Sequence, residues 1–333
     1  MDVFARRGGP RLVAAFATAA LLASATGMPA TIAIADDARY GAKKKNASVD
    51  AGTSAFQDGD WGNDTTNESE TAASTGAWLP DNDQGSMYWI AKHYGAQHAW
   101  TQNDPHGRKV TGEGVTVAVI DTGVAPVEGL STAGKVVNGP DLSFESQALG
   151  TRYLDGYGHG THMAGIIAGR DSEVSDGSLS DPRNFVGMAP GARILNMKVG
   201  TADGGADVSQ VIAAIDWVVQ HRNDNGMNVR VLNLSYGTPS DQSYLLDPLA
   251  HAVENAWRAG IAVVVAAGNN DKSTPRLTMP AADPYVIAVG AVNHVGTADP
   301  RDDVVADFTS GGSVARRPDL LAPGKSVVSL RVP

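Results

Sequence analysis

Short apolar runs recur from about residue 115 onward, and each is bounded by Gly, Asn or Asp. The runs are rich in β-branched residues and continuous rather than alternating, which is typical of strands covered on both faces. We predict strands at 115–120, 194–199, Val229–Leu234, 261–266 and 286–289.

Two stretches between these runs have helical periodicity, at Val208–His221 and at 244–259. Strands that alternate with helices favour a mainly parallel sheet with helices on both faces. In such sheets, ligands bind beyond the carboxyl ends of the strands. Candidate chemistry is therefore expected where each predicted strand ends.

The strand at 115–120 runs directly into Asp121, Thr122 and Gly123. A carboxylate at the end of a buried strand can orient the imidazole of a partner side chain. The same three residues also suit a helix N-cap or a turn, so this motif is weak by itself.

Two histidines, His159 and His162, stand in the segment Gly-His-Gly-Thr-His-Met-Ala-Gly that opens a predicted helix. A histidine at the mouth of a helix can face a cleft while the helix stays buried. The alternatives are a capping or core histidine, and a metal site formed by the pair at i, i+3. The metal alternative lacks an HExxH-type context and an evident third ligand.

Asn269 follows the predicted strand at 261–266 and the residues Ala267 and Gly268. Its amide can donate to a developing oxyanion. It can equally be a turn residue that tolerates positive φ, which is common for Gly-Asn.

The N-terminal region predicts export. Three arginines precede residue 12, an apolar run covers 12–25, and Ala-Ile-Ala stands at 33–35. This pattern predicts a secretory signal peptide at 1–35, with an uncleaved membrane anchor as the alternative. The polar residues 36–85 predict a disordered tether or pro-region, and we place the folded domain at 86–333.

Composition excludes several classes of site and partner. The chain has a formal net charge of −10 and contains no cysteine. The acidic charge disfavours nucleic-acid binding. Without cysteine there is no disulfide, no thiolate nucleophile and no cysteine-bound zinc.

Taken together and in this order, the motifs VAVIDTG, GHGTHMAGIIAG, NLSYG, AAGN and Ala-Pro-Gly at 322–324 resemble the subtilase family of serine endopeptidases, peptidase family S8. The resemblance covers about residues 87–333. It implies a subtilisin-like three-layer α/β/α fold with a mainly parallel sheet. It also implies that Asp121 and His159 belong to an Asp-His-Ser triad, that Asn269 is the oxyanion donor, and that His162 is structural.

The resemblance extends to substrate binding. A loop with an edge strand would pair with the substrate backbone, and two wall segments would line a pocket for a sizeable apolar P1 side chain. The implied substrate-binding residues are Gly204, Gly205, Leu234, Ser235, Tyr236, Gly237, Ala266, Ala267 and Gly268.

The family's nucleophile lies in a Gly-Thr-Ser-Met-Ala motif after the Ala-Pro-Gly element, and the 333 residues contain no such motif. Ser54 follows Gly-Thr but precedes the other motifs, and Ser326 and Ser329 lack the motif. We expect that the C-terminal part of the catalytic domain is missing and that this chain is inactive by itself. The alternative is a secreted pseudoprotease that binds peptides or proteins without cutting them.

The remaining expectations concern partners and cofactors. The resemblance implies polypeptide substrates and no required cofactor. Structural calcium is common in the family, and Asp299, Asp302 and Asp303 are acidic residues that could serve, although no calcium loop is recognisable. We expect a secreted, extracellular or cell-envelope-associated monomer without nucleic-acid partner or stable membrane insertion.

Overall fold

The computed structural model describes residues 83–297 and 299–333, and the backbone of residues 31–33. The predicted signal peptide and tether therefore lie almost entirely outside the described residues, as does Ser54. In the described ranges, no helix has both the length and the apolar character that a membrane span requires.

A parallel sheet of seven strands forms the centre of the described domain, with one short antiparallel strand added. The strands are β2 (Thr116–Asp121), β3 (Val136–Asn138), β4 (Arg193–Lys198), β6 (Val229–Leu234), β7 (Ala262–Ala266), β8 (Ile287–Asn293), β9 (Val304–Val305) and β10 (Leu320–Pro323). The order of the parallel strands is β10-β8-β7-β6-β2-β4-β3, and β9 adds to β8 in the antiparallel direction.

Two further strands pair away from this sheet. The backbone of β1 (Thr31–Ala33) lies antiparallel to β5 (Gly205–Asp207), with Thr31 opposite Asp207 and Ala33 opposite Gly205. The α-helices are α1 (Met87–His93), α2 (Ala96–Thr101), α3 (His159–Ala168), α4 (Val208–His221) and α5 (Pro248–Arg258).

Alternate residues of each central strand face opposite layers, because successive side chains of a strand point to opposite faces. On one face Ile120 and its neighbours pack in the same cluster as residues of α4 and α5. On the other face Val119 and its neighbours pack with residues of α1 and α3. The predicted three-layer α/β/α fold with a mainly parallel sheet is confirmed.

Each predicted strand and helix has an observed counterpart, but the helix predicted at 244–259 is wrong at its N-terminal end. A 3₁₀ turn at Tyr244–Leu246 is separated from α5 by Asp247, which is extended with φ −83° and ψ 123°. Pro248 follows, and a residue before proline is disfavoured in the helical region. Proline is favoured at the first helical position, so the helix begins there instead.

Candidate active site

Asp121 and His159 meet at the carboxyl edge of the sheet. Asp121 is the last residue of β2 and His159 is the first residue of α3. The Nδ1 atom of His159 lies 2.8 Å from Oδ1 and 3.0 Å from Oδ2 of Asp121. The side chains are 9% and 1% exposed. The imidazole and the carboxylate, which are 38 residues apart in the sequence, are therefore in direct contact.

The geometry assigns a proton to one ring nitrogen. An ionised carboxylate can only accept hydrogen bonds, so Nδ1 of His159 donates to Asp121. In the neutral ring, Nε2 is then the basic nitrogen. An imidazole held in this tautomer by a buried carboxylate can remove a proton from a hydroxyl and later return it.

Small residues allow this close contact. Gly158, the N-cap of α3, has φ 109°, a conformation that favours glycine. A Cβ added at Gly160 would overlap the carbonyl oxygen of Gly123 and come within 3.2 Å of Oδ1 of Asp121. The start of α3 can approach the end of β2 only because position 160 has no side chain.

Polar side chains that sequence reasoning missed fix the start of α3. Asp155 accepts hydrogen bonds from the backbone N–H groups of Tyr157, Gly158 and Thr161, at 3.0, 2.7 and 2.8 Å. Thr122 accepts from the N–H of Gly160 at 2.9 Å. An aspartate a few residues before a helix is a capping signal that the sequence offered. The sequence does not show that the helix capped by Asp155 begins beside Asp121.

His162 lies one turn further along α3 and is partly buried. Desolvation by burial, with a smaller contribution from His159, lowers its pKa to about 4, while Asp121 acts in the opposite direction. His162 is therefore neutral near pH 7. Its carbonyl oxygen accepts a hydrogen bond from Oγ of Ser329 at 2.8 Å.

Asn269 follows β7, and β6 lies between β7 and β2 in the sheet. It therefore lies at the same edge as Asp121, and it is preceded by Gly268 with φ 105°. The Oδ1 atom of Asn269 is buried and has no hydrogen-bond partner in the described part of the chain. Both interpretations of this residue, oxyanion donor and turn residue, are compatible with this position.

The segments expected to line the substrate groove follow neighbouring strands. Tyr236 is fully buried, and burial, together with the Asp121 and Asp155 carboxylates, raises its pKa well above its usual value. Of the remaining residues in these segments, Ser235, Gly237, Ala267 and Gly268 follow strand ends, Leu234 and Ala266 are the last residues of β6 and β7, and Gly204 and Gly205 lie at the start of β5.

A buried threonine lies beside two of these glycines. A Cβ at Gly237 would lie 2.5 Å from Oγ1 of Thr278, and a Cβ at Gly268 would lie 2.7 Å from Cγ2 of the same residue. Thr278 is buried and contacts both predicted wall segments. The absence of side chains at Gly237 and Gly268 therefore makes room for Thr278.

The acidic residues considered for calcium have separate partners. Asp299 bonds to Arg301, Asp302 to Thr297, and Asp303 to Tyr94. In the ranges that the structure describes, no group of three or more His, Asp or Glu side chains is arranged to hold a metal ion.

Comparison with known proteins gives the family. The subtilase family model, Peptidase_S8, matches residues 112–332. The serine protease AprX of Bacillus subtilis is 35% identical over 237 residues, which are 68% of this chain and 50% of AprX. Subtilisin BL of Lederbergia lenta is 34% identical over 224 residues, which are 67% of this chain and 69% of that protein.

A solved structure agrees with these relatives. The crystal structure of a cold-adapted subtilisin-like serine proteinase matches with a TM-score of 0.51 and 30% identity, and the match covers 72% of this chain and 74% of the other. The chain spans about half the length of AprX. Since the family model covers most of the described domain and the fold agrees with it, the chain belongs to the subtilase family.

Proposed function

We propose that this chain carries the Asp-His part of a subtilisin-like serine endopeptidase that hydrolyses peptide bonds by acyl transfer. The observation that carries the proposal is the contact of His159 Nδ1 with the Asp121 carboxylate at 2.8 and 3.0 Å. It lies at the sheet edge where ligands of parallel α/β folds bind. A serine hydroxyl next to Nε2 would complete a triad.

In the proposed reaction, Nε2 of His159 takes the proton of the serine hydroxyl while the oxygen attacks a peptide carbonyl. Asp121 holds the ring tautomer and stabilises the imidazolium that forms. Asn269 and a backbone N–H would donate to the negatively charged oxygen. The imidazolium gives its proton to the leaving amine as the C–N bond breaks. His159 then takes a proton from the water that attacks the acyl-enzyme and gives it to the serine oxygen as the ester bond breaks.

Polypeptides in an extended conformation are the proposed substrates. The backbone pairing of β1 with β5 supports this. Thr31–Ala33, in the segment proposed to be removed as a signal peptide, lies antiparallel to the strand that begins at the predicted substrate-binding residue Gly205. Such pairing supplies main-chain hydrogen bonds that do not depend on sequence. We infer that Thr278 narrows the P1 pocket, so that small P1 side chains are preferred to Phe.

The remaining parts of the proposal concern export and cofactors. The signal-peptide pattern at 1–35 supports a secreted, extracellular or cell-envelope-associated protein that begins at Asp36, with residues 36–85 as a tether or pro-region. The acyl-transfer chemistry needs no cofactor.

The proposed function is tested by joining a subtilase segment that carries Gly-Thr-Ser-Met-Ala after Pro333, because the 333 residues contain no such motif. The joined protein is expected to hydrolyse a peptide anilide, faster with Ala than with Phe at P1. His159→Ala should remove nearly all turnover. Asn269→Ala should lower kcat by about 10²–10³, the loss that characterises the oxyanion asparagine of subtilisin itself.

His162→Gln is the matched control, because it changes a histidine of the same helix outside the proposed proton path. A folded joined protein that binds peptides but does not turn them over would refute the protease proposal and favour the peptide-binding pseudoprotease. Turnover that survives His159→Ala but not His162→Gln would reverse the roles of the two histidines.

A further inference from the structure

A fully buried lysine lies beside the Asp121–His159 pair. Lys198, the last residue of β4, is the register partner of Asp121 in the parallel ladder, and its side chain is 0% exposed. Its Nζ atom donates to the carbonyl of Leu154 at 2.6 Å and to Oε2 of Glu145 at 2.9 Å. A buried ammonium is costly unless its charge and donors are paired. These two contacts therefore restrict where Leu154 and Glu145 can lie.

The first contact, with the Leu154 carbonyl, lies close to the start of α3. Leu154 directly precedes Asp155, whose carboxylate receives three backbone N–H groups around the N-terminus of that helix. The Leu154 carbonyl oxygen also lies 2.7 Å from where a Cβ of Gly123 would be. A displacement of Leu154 would therefore move both the chain that follows Asp121 and the start of the helix that begins with His159.

The second contact holds the loop that contains the predicted substrate-binding residue Gly204. The other carboxylate oxygen of Glu145, Oε1, accepts the backbone N–H of Ala202 at 2.7 Å. Ala202 lies in the loop 200–204 that precedes β5. The carboxylate that neutralises Lys198 therefore also anchors the loop that leads into Gly205–Asp207.

We propose that Lys198 is a positioning residue that ties the loop before β5 to the start of α3. The predicted substrate-binding residues Gly204 and Gly205 then stay at a fixed distance and orientation from the His159 imidazole. Acyl transfer requires this, because a misplaced substrate reacts slowly. This inference rests on the proposed function for its purpose. Its test measures the position of His159 directly and needs no turnover.

The chain offers a matched control in Lys135. Its Nζ atom donates to two backbone carbonyls, those of Pro190 and Ala192, at 2.6 and 3.1 Å. These contacts lie just before β3 and β4, at the amino end of the parallel sheet. Replacing Lys135 also removes two hydrogen bonds of a lysine, but at the end of the sheet opposite to the catalytic pair.

The experiment compares Lys198→Met and Lys135→Met in the full chain by NMR. Two signals are followed, the Nδ1–H proton of His159 and the hydrogen exchange of the Ala202 amide. Lys198→Met is expected to broaden or shift the His159 signal. It should also accelerate exchange at Ala202 by roughly 10- to 100-fold, the range that one hydrogen bond to a charged group represents. Lys135→Met should lower the melting temperature and leave both signals unchanged.

Glu145→Ala provides a second variant, because Glu145 is partly exposed and its loss leaves the lysine contact with Leu154. It is expected to accelerate exchange at Ala202 and to change the His159 signal less than Lys198→Met does. The proposal is overturned if Lys198→Met melts at a lower temperature but keeps both signals. If that variant does not fold, unchanged exchange at Ala202 in Glu145→Ala overturns it equally.

Discussion

The low pKa of His162 predicts that acid weakens this domain through one side chain. Burial lowers the pKa of His162 to about 4 in the folded protein, whereas an unfolded histidine titrates near pH 6.5. Between these values the unfolded chain binds a proton that the folded chain does not. The free energy of unfolding is therefore fully retained above about pH 6.5 and falls as the pH decreases toward 4.

The size of the effect follows from the two pKa values. A difference of about 2.5 units corresponds to about 3.4 kcal/mol at 1.36 kcal/mol per unit. Because His162 is only partly buried by surface area, solvent screening reduces this value. We expect about 2–3 kcal/mol of stability to be lost through this residue between pH 7 and pH 4.

The assay is urea unfolding followed by tryptophan fluorescence at a series of pH values, for the wild type and for His162→Gln. Carboxylates also titrate in this range, so the relevant quantity is the difference between the two proteins at each pH. This difference should change by about 2–3 kcal/mol from pH 7 to pH 4. The exposed His251→Gln is the control for removal of a histidine and should track the wild type.

A difference between wild type and His162→Gln that stays constant within about 0.5 kcal/mol over the whole series would refute the reasoning. It would mean that His162 is hydrated in the folded protein as well. If the wild type instead gained stability relative to His162→Gln as the pH falls, a partner would have to stabilise the charged ring.

Three further predictions concern packing, capping and processing. Gly160→Ala should destabilise the domain by about 1–3 kcal/mol or more through overpacking against the Gly123 carbonyl. Gly150→Ala is the control and should not destabilise it, because the added Cβ meets nothing within 4 Å. Equal urea midpoints for the two variants would contradict this. Asp247→Ala removes the acceptor for the N–H groups of Leu249 and Ala250, at 2.9 and 3.0 Å, and should cost about 1 kcal/mol in urea unfolding; an unchanged midpoint would show that the cap is dispensable. N-terminal sequencing of exported protein should begin at Asp36, and an intact Met1 in a membrane fraction would favour the anchor instead.

The sequence by itself determined the family and the placement of most central strands. Val229–Leu234 and Val208–His221 were predicted with the bounds that are observed, because a doubly covered strand and an amphipathic helix leave strong patterns in the chain. The strands β3 and β10 were missed. Three or four residues that are partly exposed give no such pattern.

Only the tertiary structure decided how the site is held together. Asp121 and His159 could be named from their motifs, but their contact depends on where β2 and α3 end in space. Lys198 and Glu145 form no motif, since their backbone partners Leu154 and Ala202 lie far away along the chain. Thr278 likewise occupies space between two segments that the sequence showed only as small residues. Side chains that bond to distant backbone carry no periodic signal, so their roles appear only when the fold brings the partners together.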